Sequence, residues 1–478
     1  MRPPLRTAAL LALCACSGGQ VGGDRAAWLQ ARLREDNLVW LARDPSLVAD
    51  KLGRMAADPF DFMRGTAGIY AADLLRVDGG RVELGALDQP GLAALLFGDA
   101  HPENLGTGWP GAMDGGAPEA GGLVVSFFDP DAITFGPPSL ELRRAALGFG
   151  ALRLSPGARV ACPRSCVEGM ARALGEGWAV GLTEGEADPA EEGLLLGALR
   201  LAAAAEEAEP LERLSDVDPE TGLLLRAPLD EDGRGQLDLG PAERAQVGRL
   251  WAQLRAVHPL RLLDAARRYG SGVSSIPALR VLLLVDQGEE GTQDDRVLDL
   301  RELVDPPALP VAGAAVAGVF EDNAQRVEEG AAALWPNPEA DPFLLGLTDG
   351  EQSFRLRGWR GAFRSFDHLD LAAALEAGAI GPPELAQLAG AAGRALGAAH
   401  ARAPGPDGQP VGPALRGALR AAGGGSAVGE GLAAGVWADL EQLEADHALL
   451  QGLRAAHGPL AGVDAAPTRG AWGEHGVQ

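Results

Sequence analysis

The sequence predicts an α+β protein with a large helical portion, and two observations lead to this fold class. Apolar residues recur at helical spacing in several long segments, as Leu29, Leu33, Leu38 and Leu41 do near the start. Short apolar runs bounded by turn residues, such as residues 123–128, predict strands between those helices. Hydrophobic residues make up 46% of the chain and charged residues 22%, so we expect a packed globular body.

The predicted elements follow in order along the chain. Because two apolar strands separated by one loop most readily pair as neighbours, we expect the first two strands to be adjacent. A Gly/Pro-rich segment over 107–122 predicts a surface loop, and a charged, turn-rich segment over 210–240 predicts a boundary. Helices are predicted over 24–57, 64–77, 139–155, 164–182, 188–209, 241–269, 321–335 and 383–402, and strands over 93–98, 123–128, 278–286 and 296–300.

The first fifteen residues have the pattern of a secretory signal. Two arginines precede a short apolar run, which is far too short to span a bilayer, and small residues follow. Leu13-Cys14-Ala15-Cys16 resembles a bacterial lipobox, which implies cleavage after residue 15 and lipidation of Cys16. The prediction is an exported protein of the cell envelope, held on the membrane by its lipid anchor. A mis-set start codon ahead of a cytosolic protein is the alternative.

This leader sets the predicted division of the chain. Residues 1–15 form the signal peptide, 16–23 a tether, 24–458 one globular body and 459–478 a flexible tail. Within the body, 24–240 carries the polar loops described below and 241–458 carries later strands and helices. The formal net charge of −25 repels phosphate backbones, so we expect no nucleic-acid partner.

Two cysteines lie in the body, Cys162 and Cys166. An oxidising compartment outside the cytoplasm would allow them to form a small disulfide loop. The alternative is two ordinary small buried residues. A metal site is disfavoured, because no histidine lies near them in sequence to complete four ligands.

Polar clusters follow the first two predicted strands. Phe97-Gly98 is followed by Asp99, His101 and Asn104 on one tight loop, and Phe127-Phe128 is followed by Asp129 and Asp131. Phosphoryl transfer needs such an inventory: a carboxylate that orients or deprotonates a hydroxyl, and oxygen ligands for Mg²⁺. In this interpretation Asp99 is the base, His101 orders the loop, and the metal ligands are Asn104, Asp129 and Asp131. A loop fixed by side-chain hydrogen bonds is the structural alternative.

The pattern Gly98-Asp99-x-His101-x-x-Asn104, followed by an aspartate at a strand end, resembles the catalytic core of aminoglycoside phosphotransferases and other protein-kinase-like enzymes. In those enzymes the second motif precedes a Gly/Pro turn and an acidic residue that opens a helix. Here Gly136-Pro137 and Glu141 match, with glutamate in place of the usual aspartate. The resemblance implies Mg²⁺ and ATP as cofactors and a small-molecule substrate that the sequence does not identify.

A wider resemblance, to the bacterial domain of unknown function 2252, covers about 350 residues (residue numbers span 54–402). Its opening motif, Gly-Asp-x-His-x-x-Asn-x-Gly motif and Asp-Phe-Asp motif all have counterparts here in the same order. The resemblance implies nucleotide contacts from Gly270, Gly272 and Arg301. The similar segments are 54–65, 72–74, 98–106, 127–131, 264–275, 299–303, 323–327 and 399–402.

The order of these segments implies a divergent or permuted protein-kinase-like fold, because in ordinary kinases the glycine loop precedes the catalytic loop. The hypothesis requires a strand–loop–strand flap from 264 to 303 over the Asp99 loop. Arg301 replaces the family's lysine, and Ser275 replaces the last glycine of the turn. His400 lies near a predicted helix end, where cation–dipole stabilisation explains it as well as a site does.

Three functions remain open from the sequence. The first is a Mg²⁺-dependent phosphotransferase acting on a small-molecule hydroxyl, and the retained Asp99, Asn104 and Asp129 favour it. The second is a non-catalytic, kinase-like envelope lipoprotein that binds or scaffolds. It is favoured by the altered Arg301 and Ser275 and by the scarcity of nucleoside triphosphates outside the cytoplasm. The third is a metal-dependent hydrolase that uses the same carboxylates.

Overall fold

The computed structural model describes residues 25–74, 84–89, 91–109, 122–187, 193–208, 215–230, 233–288, 295–307, 318–359 and 363–464. The predicted signal peptide, Cys16 and the tether lie outside these residues, as do residues 465–478 of the predicted tail. The described part combines many helices with antiparallel sheets, which is the predicted α+β class.

Five short helices open the described chain. The single helix predicted over 24–57 is instead three, because Asn37 and Asp44 interrupt it. The side chain of Asp44 accepts hydrogen bonds from the backbone N–H groups of residues 46 and 47 and so begins a new helix, with proline at its first position. The helices are α1 (Arg25–Asp36), α2 (Leu38–Arg43), α3 (Pro45–Ala57), α4 (Pro59–Gly65) and α5 (Ala67–Leu74).

Two small antiparallel pairs of strands carry the polar loops. They are formed by β1 (Ala94–Leu96) with β4 (Thr134–Gly136) and by β2 (Leu105–Gly108) with β3 (Val124–Phe127). The expectation that 93–98 and 123–128 pair with each other was wrong. The chain forms an extra strand directly after each polar loop, and these two strands, β2 and β4, take up the pairing positions.

A helical bundle packs behind these strands. Its helices are α6 (Pro138–Ala151), α7 (Ala158–Ala161), α8 (Arg164–Glu184), α9 (Leu194–Glu207), α13 (Pro382–Arg402), α14 (Gly412–Ala421) and α15 (Gly424–His457). Helices α8 and α13 approach closely because glycines face the opposing backbone: a Cβ on Gly181 would lie 2.0 Å from the carbonyl oxygen of Arg394. Cys162 and Cys166 form a disulfide at the start of α8, with their Cα atoms 5.2 Å apart.

A six-stranded antiparallel sheet forms the other layer, in the order β5-β6-β7-β8-β10-β9. Its strands are β5 (Gly235–Asp238), β6 (Arg261–Tyr269), β7 (Arg280–Asp286), β8 (Arg296–Leu303), β9 (Leu345–Asp349) and β10 (Gln352–Gly358). Two helices pack on it, α10 (Pro241–Val257) and α11 (Asn323–Leu334), while α12 (His368–Glu376) packs against α7 of the helical bundle.

The prediction of one helix over 241–269 was half wrong. Helix α10 ends at Val257, and residues 261–269 form strand β6. Those residues, Arg-Leu-Leu-Asp-Ala-Ala-Arg-Arg-Tyr, favour helix by intrinsic propensity, but ladders with β5 and β7 on either side override that preference. Among the described residues no helix combines the length and the apolar character needed to cross a bilayer.

Candidate functional site

The Asp99 loop begins at a glycine that no other residue could replace without strain. Gly98 has φ of +82°, and a Cβ there would lie 2.0 Å from the carbonyl oxygen of Ala132. Its N–H donates a 2.7 Å hydrogen bond to the buried carboxylate of Glu141, the acidic residue of helix α6. Residues 102–104 then form a single 3₁₀ turn, and Asn104 Nδ2 donates to the carbonyl oxygen of Asp99 at 2.9 Å. Asn104 therefore folds back over Asp99.

Asp99 is held from one side by an arginine of helix α6. Nε of Arg144 donates a 2.8 Å hydrogen bond to Oδ1 of Asp99, and a second guanidinium nitrogen donates to the carbonyl oxygen of Met63. Oδ2 of Asp99 lies 3.7 Å from Nε2 of His101. Burial lowers the pKa of His101 to about 4, although Asp99 opposes the shift, so the imidazole is neutral at pH 7. His101 is therefore a neutral side chain beside Asp99.

Asp129 and Asp131 follow strand β3 and meet two arginines of the sheet. Arg301 on β8 and Arg355 on β10 both contact the carboxylate of Asp131, Arg301 at 2.5 Å. Burial opposes ionisation of Asp131, but Arg355 and Arg301 outweigh it and hold its pKa well below the usual range. Arg301 and Arg355 also lie 3.6 and 3.5 Å from Asp129, whose buried Oδ1 accepts no hydrogen bond from the described residues.

Arg355 is in turn held by a second carboxylate, which it shares with Arg280. Asp299, on β8 and fully buried, lies 2.6 Å from Arg280 and 2.9 Å from Arg355. Although desolvation works against its charge, Arg280 and Arg355 keep the pKa of Asp299 far below its usual range. Charged hydrogen bonds thus tie the sheet to the loop after β3.

One cavity of about 620 Å³ opens among these groups, between the sheet, the two polar loops and the N-terminal helices. Asp99, Asn104, Asp129, Asp131 and Arg301 all line it. Four oxygen-bearing side chains predicted from sequence thus share one site with a cation from the sheet. Further residues of the wall include Trp40, Lys51, Arg64, Ser274, Ser275, Pro306 and Pro307.

Comparison with known proteins gives one match, to a family model. Residues 43–192 and 243–452, together more than half of the chain, match the family described as an uncharacterized protein conserved in bacteria, DUF2252. The chain belongs to the DUF2252 family. No curated protein and no solved structure matches it.

The two glycines of the predicted nucleotide turn lie elsewhere in this DUF2252 protein. Gly270 and Gly272 have φ of +68° and +73°, as a tight turn requires, but they line a second cavity of about 400 Å³. Arg64 lines both cavities, so the two lie side by side. A Cβ on Gly272 would lie 3.7 Å from a guanidinium nitrogen of Arg301. The turn therefore backs the main cavity, and Ser274 and Ser275 enter its wall.

The second cavity holds a cluster with metal-ligand character. Among the described residues, one triple of His, Cys, Asp or Glu side chains has ligand atoms within 4.8 Å of one another: Glu103, Asp367 and His368. Nδ1 of His368 lies 2.5 Å from Glu103, and its ring stacks on Phe60. The carboxylates that line the main cavity form no such triple. Glu103 lies inside the Gly98–Asn104 motif, but no role was predicted for it.

Three residues of the main site were missed by sequence reasoning. Arg144 and Arg355 contact the predicted aspartates. Arg144 lies on helix α6, and Arg355 lies on strand β10, about 225 residues after Asp131 in the sequence. The run Ser-Phe-Arg-Leu-Arg, with arginines on the face opposite the apolar residues, was the available signal for Arg355. Lys51 could have been found by counting, because it is the single lysine in the sequence.

Proposed function

We propose that this DUF2252 protein is an exported lipoprotein with a Mg²⁺-dependent phosphotransferase site that uses ATP and acts on a small-molecule hydroxyl. The observation that carries the proposal is the convergence of Asp99, Asn104 and Asp129 on one cavity with Arg301. Each of these side chains has a place in phosphoryl transfer, which depends on positioning and on charge stabilisation.

The residues present fit Mg²⁺. Mg²⁺ is held in proteins by one or two carboxylates together with substrate phosphates and water. Asn104 donates through Nδ2 to the backbone, which leaves Oδ1 for a cation. Oδ1 of Asp129 is buried and accepts no hydrogen bond from the described residues, its contact with Arg355 being an ion pair of 3.5 Å. These two would hold the metal, which neutralises phosphate charge. Asp131 is different, because both of its oxygens face arginines, and we assign it the role of positioning Arg301 and Arg355.

Asp99 is the group for proton transfer in this proposal. Arg144 fixes Oδ1 and the imidazole of His101 lies against Oδ2, so the carboxylate keeps one orientation while 13% of its side chain remains exposed. A carboxylate held this way orients an attacking hydroxyl and accepts its proton. Arg301 and Arg355, beside Asp129, supply positive charge where phosphate oxygens would lie.

The order of the sheet supports a permuted kinase-like arrangement. A glycine turn joins β6 to β7, the cationic Arg301 stands on the next strand, β8, and a helix, α11, follows. Kinases place a glycine-rich loop, a lysine on their third strand and helix αC in that sequence. The strand–turn–strand segment required by the hypothesis is present and contributes to the Asp99 cavity. One feature differs from the arrangement in kinases. The carboxylate of Glu328 on α11 accepts a hydrogen bond from the backbone N–H of Gly346 instead of pairing with Arg301.

The alternative is a non-catalytic binding lipoprotein, and one observation favours it. Arg301 is engaged by Asp131 and lies 3.6 Å from Asp129, so the cation on β8 is already neutralised within the protein. A site whose charged side chains are paired with one another needs no nucleotide to be stable, as a binding scaffold requires.

Nucleotide binding separates the two functions. The purified soluble body is heated with ATP, with ATP and MgCl₂, and with MgCl₂ alone. A ligand present at 100 times its Kd adds about 2.7 kcal/mol of stability. We expect a rise in Tm with ATP and MgCl₂ together that exceeds both single additions. No rise with any nucleotide would contradict the phosphotransferase proposal and leave the scaffold.

Export is supported by the disulfide between Cys162 and Cys166, because such bonds persist in oxidising compartments. We propose lipidation at Cys16 and attachment to the membrane by the acyl chains.

A further inference from the structure

Lys51 is the single lysine among 41 basic residues, and it lies in the wall of the main cavity. It comes from helix α3 and its side chain is 4% exposed. Everywhere else this chain uses arginine for positive charge. An ammonium differs from a guanidinium in being a compact point charge with three donors that can turn toward one oxygen.

Lys51 makes a direct hydrogen bond to a neutral partner, and the carboxylate of Asp36, which also lines the cavity, acts on it only at longer range. Nζ donates a 3.0 Å hydrogen bond to Oδ1 of Asn37, an uncharged partner. Asn37 is buried and fixed in turn, because its Nδ2 donates to the carbonyl oxygen of Leu33. In the described part of the chain no carboxylate oxygen lies within 4.0 Å of Nζ. Within the described residues one donor position of the ammonium is used, which leaves the other two for a ligand.

The arginines of the same wall are all committed. Arg32 pairs with Glu35 at 2.6 Å, Arg64 with Glu103 at 2.7 Å and Arg301 with Asp131 at 2.5 Å. Lys51 is therefore the cation of this wall that has no ion-pair partner within the described residues. A buried charge without a partner is costly, and it is retained where a ligand supplies the opposite charge.

We propose that Lys51 is a phosphate-binding residue of this cavity, and that it acts from helix α3 in addition to Arg301 on the sheet, whose charge is shared with Asp131. The ligand class is a polyphosphate, as in a nucleoside triphosphate, so the inference rests on the proposed function. A phosphate oxygen bound by Lys51 receives a charged hydrogen bond in a site of low solvent exposure. Arg301 then serves with Asp131 to position the loop after β3.

Burial supports this assignment, because it lowers the pKa of Lys51 to about 8, although Asp36 opposes the shift. In the protein without ligand, the side chain of Lys51 is thus partly deprotonated just above neutral pH. A bound phosphate stabilises the ammonium and raises that pKa. The affinity for phosphate and the protonation of Lys51 are therefore linked, and both quantities can be measured.

The single lysine makes the test selective. Protein grown with [ε-¹³C]lysine gives one lysine Hε–Cε cross-peak, without any chemical modification or substitution. We expect the cross-peak to titrate with a midpoint near pH 8 in the free protein. Saturating ATP with MgCl₂, and inorganic pyrophosphate with MgCl₂, should each move the midpoint upward by about one pH unit or more. Adenosine should not move it.

Binding of ATP to variants completes the test. Lys51→Gln should raise the Kd for ATP with MgCl₂ at least about tenfold, and Lys51→Arg should raise it less. Arg172→Gln removes a surface cation that pairs with Glu430 on the helical bundle and should leave the Kd unchanged. If ATP binds the wild type while the lysine midpoint stays fixed and Lys51→Gln binds equally well, the inference is wrong and the proposed function stands. If ATP does not bind the wild type, both are wrong.

Discussion

Nε2 of His400 donates a 2.7 Å hydrogen bond to Oε2 of Glu141, and neither side chain is exposed. Trp178 Nε1 donates to the other ring nitrogen of His400 at 3.1 Å, which fixes the tautomer. The second carboxylate oxygen of Glu141 receives the N–H of Gly98. A chain of hydrogen bonds thus runs from helices α8 and α13 to the first residue of the Asp99 loop.

Replacing His400 with alanine should destabilise the protein by about 2–3 kcal/mol, because it leaves one oxygen of the buried Glu141 carboxylate without its hydrogen bond while Gly98 still binds the other. Urea denaturation followed by circular dichroism measures the change. His457→Ala, at an exposed position near the end of α15, should change stability by less than about 0.5 kcal/mol. Equal losses in the two variants would show that the Glu141 contact does not stabilise the fold.

Asp131 and Arg355 should be strongly coupled. Removing the guanidinium by Arg355→Met leaves Asp131 and the fully buried Asp299 short of positive charge, and should cost about 3–5 kcal/mol. Adding Asp131→Asn should recover part of that loss, so that the double variant is more stable than the sum of the two single changes predicts.

A surface pair provides the control for that cycle. Arg249 and Asp349 lie 2.7 Å apart with Arg249 largely exposed, and such pairs contribute about 0–1 kcal/mol. Arg249→Met should therefore be nearly neutral. If the losses in the free energy of unfolding from Arg355→Met and Asp131→Asn simply add, the two residues do not stabilise the protein through their contact.

His368 should make stability fall in mildly alkaline solution. Burial opposes its charge, but Asp58 and Glu103 outweigh burial and raise the pKa of His368 to about 9. Its contribution is complete below the unfolded pKa of about 6.5 and is lost as the pH rises through 9, amounting to about 2 kcal/mol after screening. In His368→Gln this part of the decline between pH 6.5 and 9 should disappear.

The difference between wild type and His368→Gln isolates the effect, because Lys51 and all other groups titrate in both proteins. Free energies of unfolding at a series of pH values give the comparison. Parallel curves for the two proteins across this interval would contradict the assignment of the raised pKa to His368.

Cys16→Ala tests the predicted lipid anchor. The precursor with this change should lose its acyl chains and leave the membrane fraction, because the acyl chains provide the attachment. Fractionation of cells that express the full chain, with radiolabelled palmitate as the marker of lipidation, measures both effects. Cys14→Ala, two residues earlier in the sequence, should leave lipidation intact. If Cys16→Ala remains with the membranes and carries label, the lipobox assignment is wrong.

Sequence patterns predicted the local parts of this site and could not predict its assembly. The motif from Gly98 to Asn104 is one short loop, so the order of its residues already placed Asp99 beside Asn104. Arg355 is fixed by the pairing of β10 with β8, a contact between segments more than 50 residues apart that no local pattern records. His400 was explained equally well by a helix-end dipole, because its partner Glu141 lies 259 residues away in the sequence.

Two elements of the fold were not predicted correctly from the sequence, for two different physical reasons. Strand β6 was assigned to a helix because leucine, alanine and arginine favour helices and only its neighbours in the sheet decide otherwise. The longest helix, α15, was not predicted, because its first half carries glycines that lower intrinsic helicity. Packing against α8 permits that composition, since Gly429 lies against the backbone of Arg172.

Asp129 and Asp99 should separate binding from chemistry. Asp129→Ala removes a carboxylate whose ion pairs with Arg301 and Arg355 are long and whose Oδ1 accepts no hydrogen bond from the described residues. The unliganded protein should therefore lose only about 1–2 kcal/mol of stability, while the Mg²⁺-dependent shift with ATP disappears. Asp99→Asn keeps the shape of the side chain and its hydrogen bond from Arg144, so ATP should still bind with MgCl₂. Transfer of phosphate to a hydroxyl, or to water, should fall at least about a hundredfold, because the proton acceptor is gone. Calorimetry measures the binding and ADP release measures the reaction, with the exposed Asp238→Ala as the carboxylate control. Unchanged Mg²⁺ affinity in Asp129→Ala would remove the metal from this position, and unchanged ADP release in Asp99→Asn would remove Asp99 from the reaction.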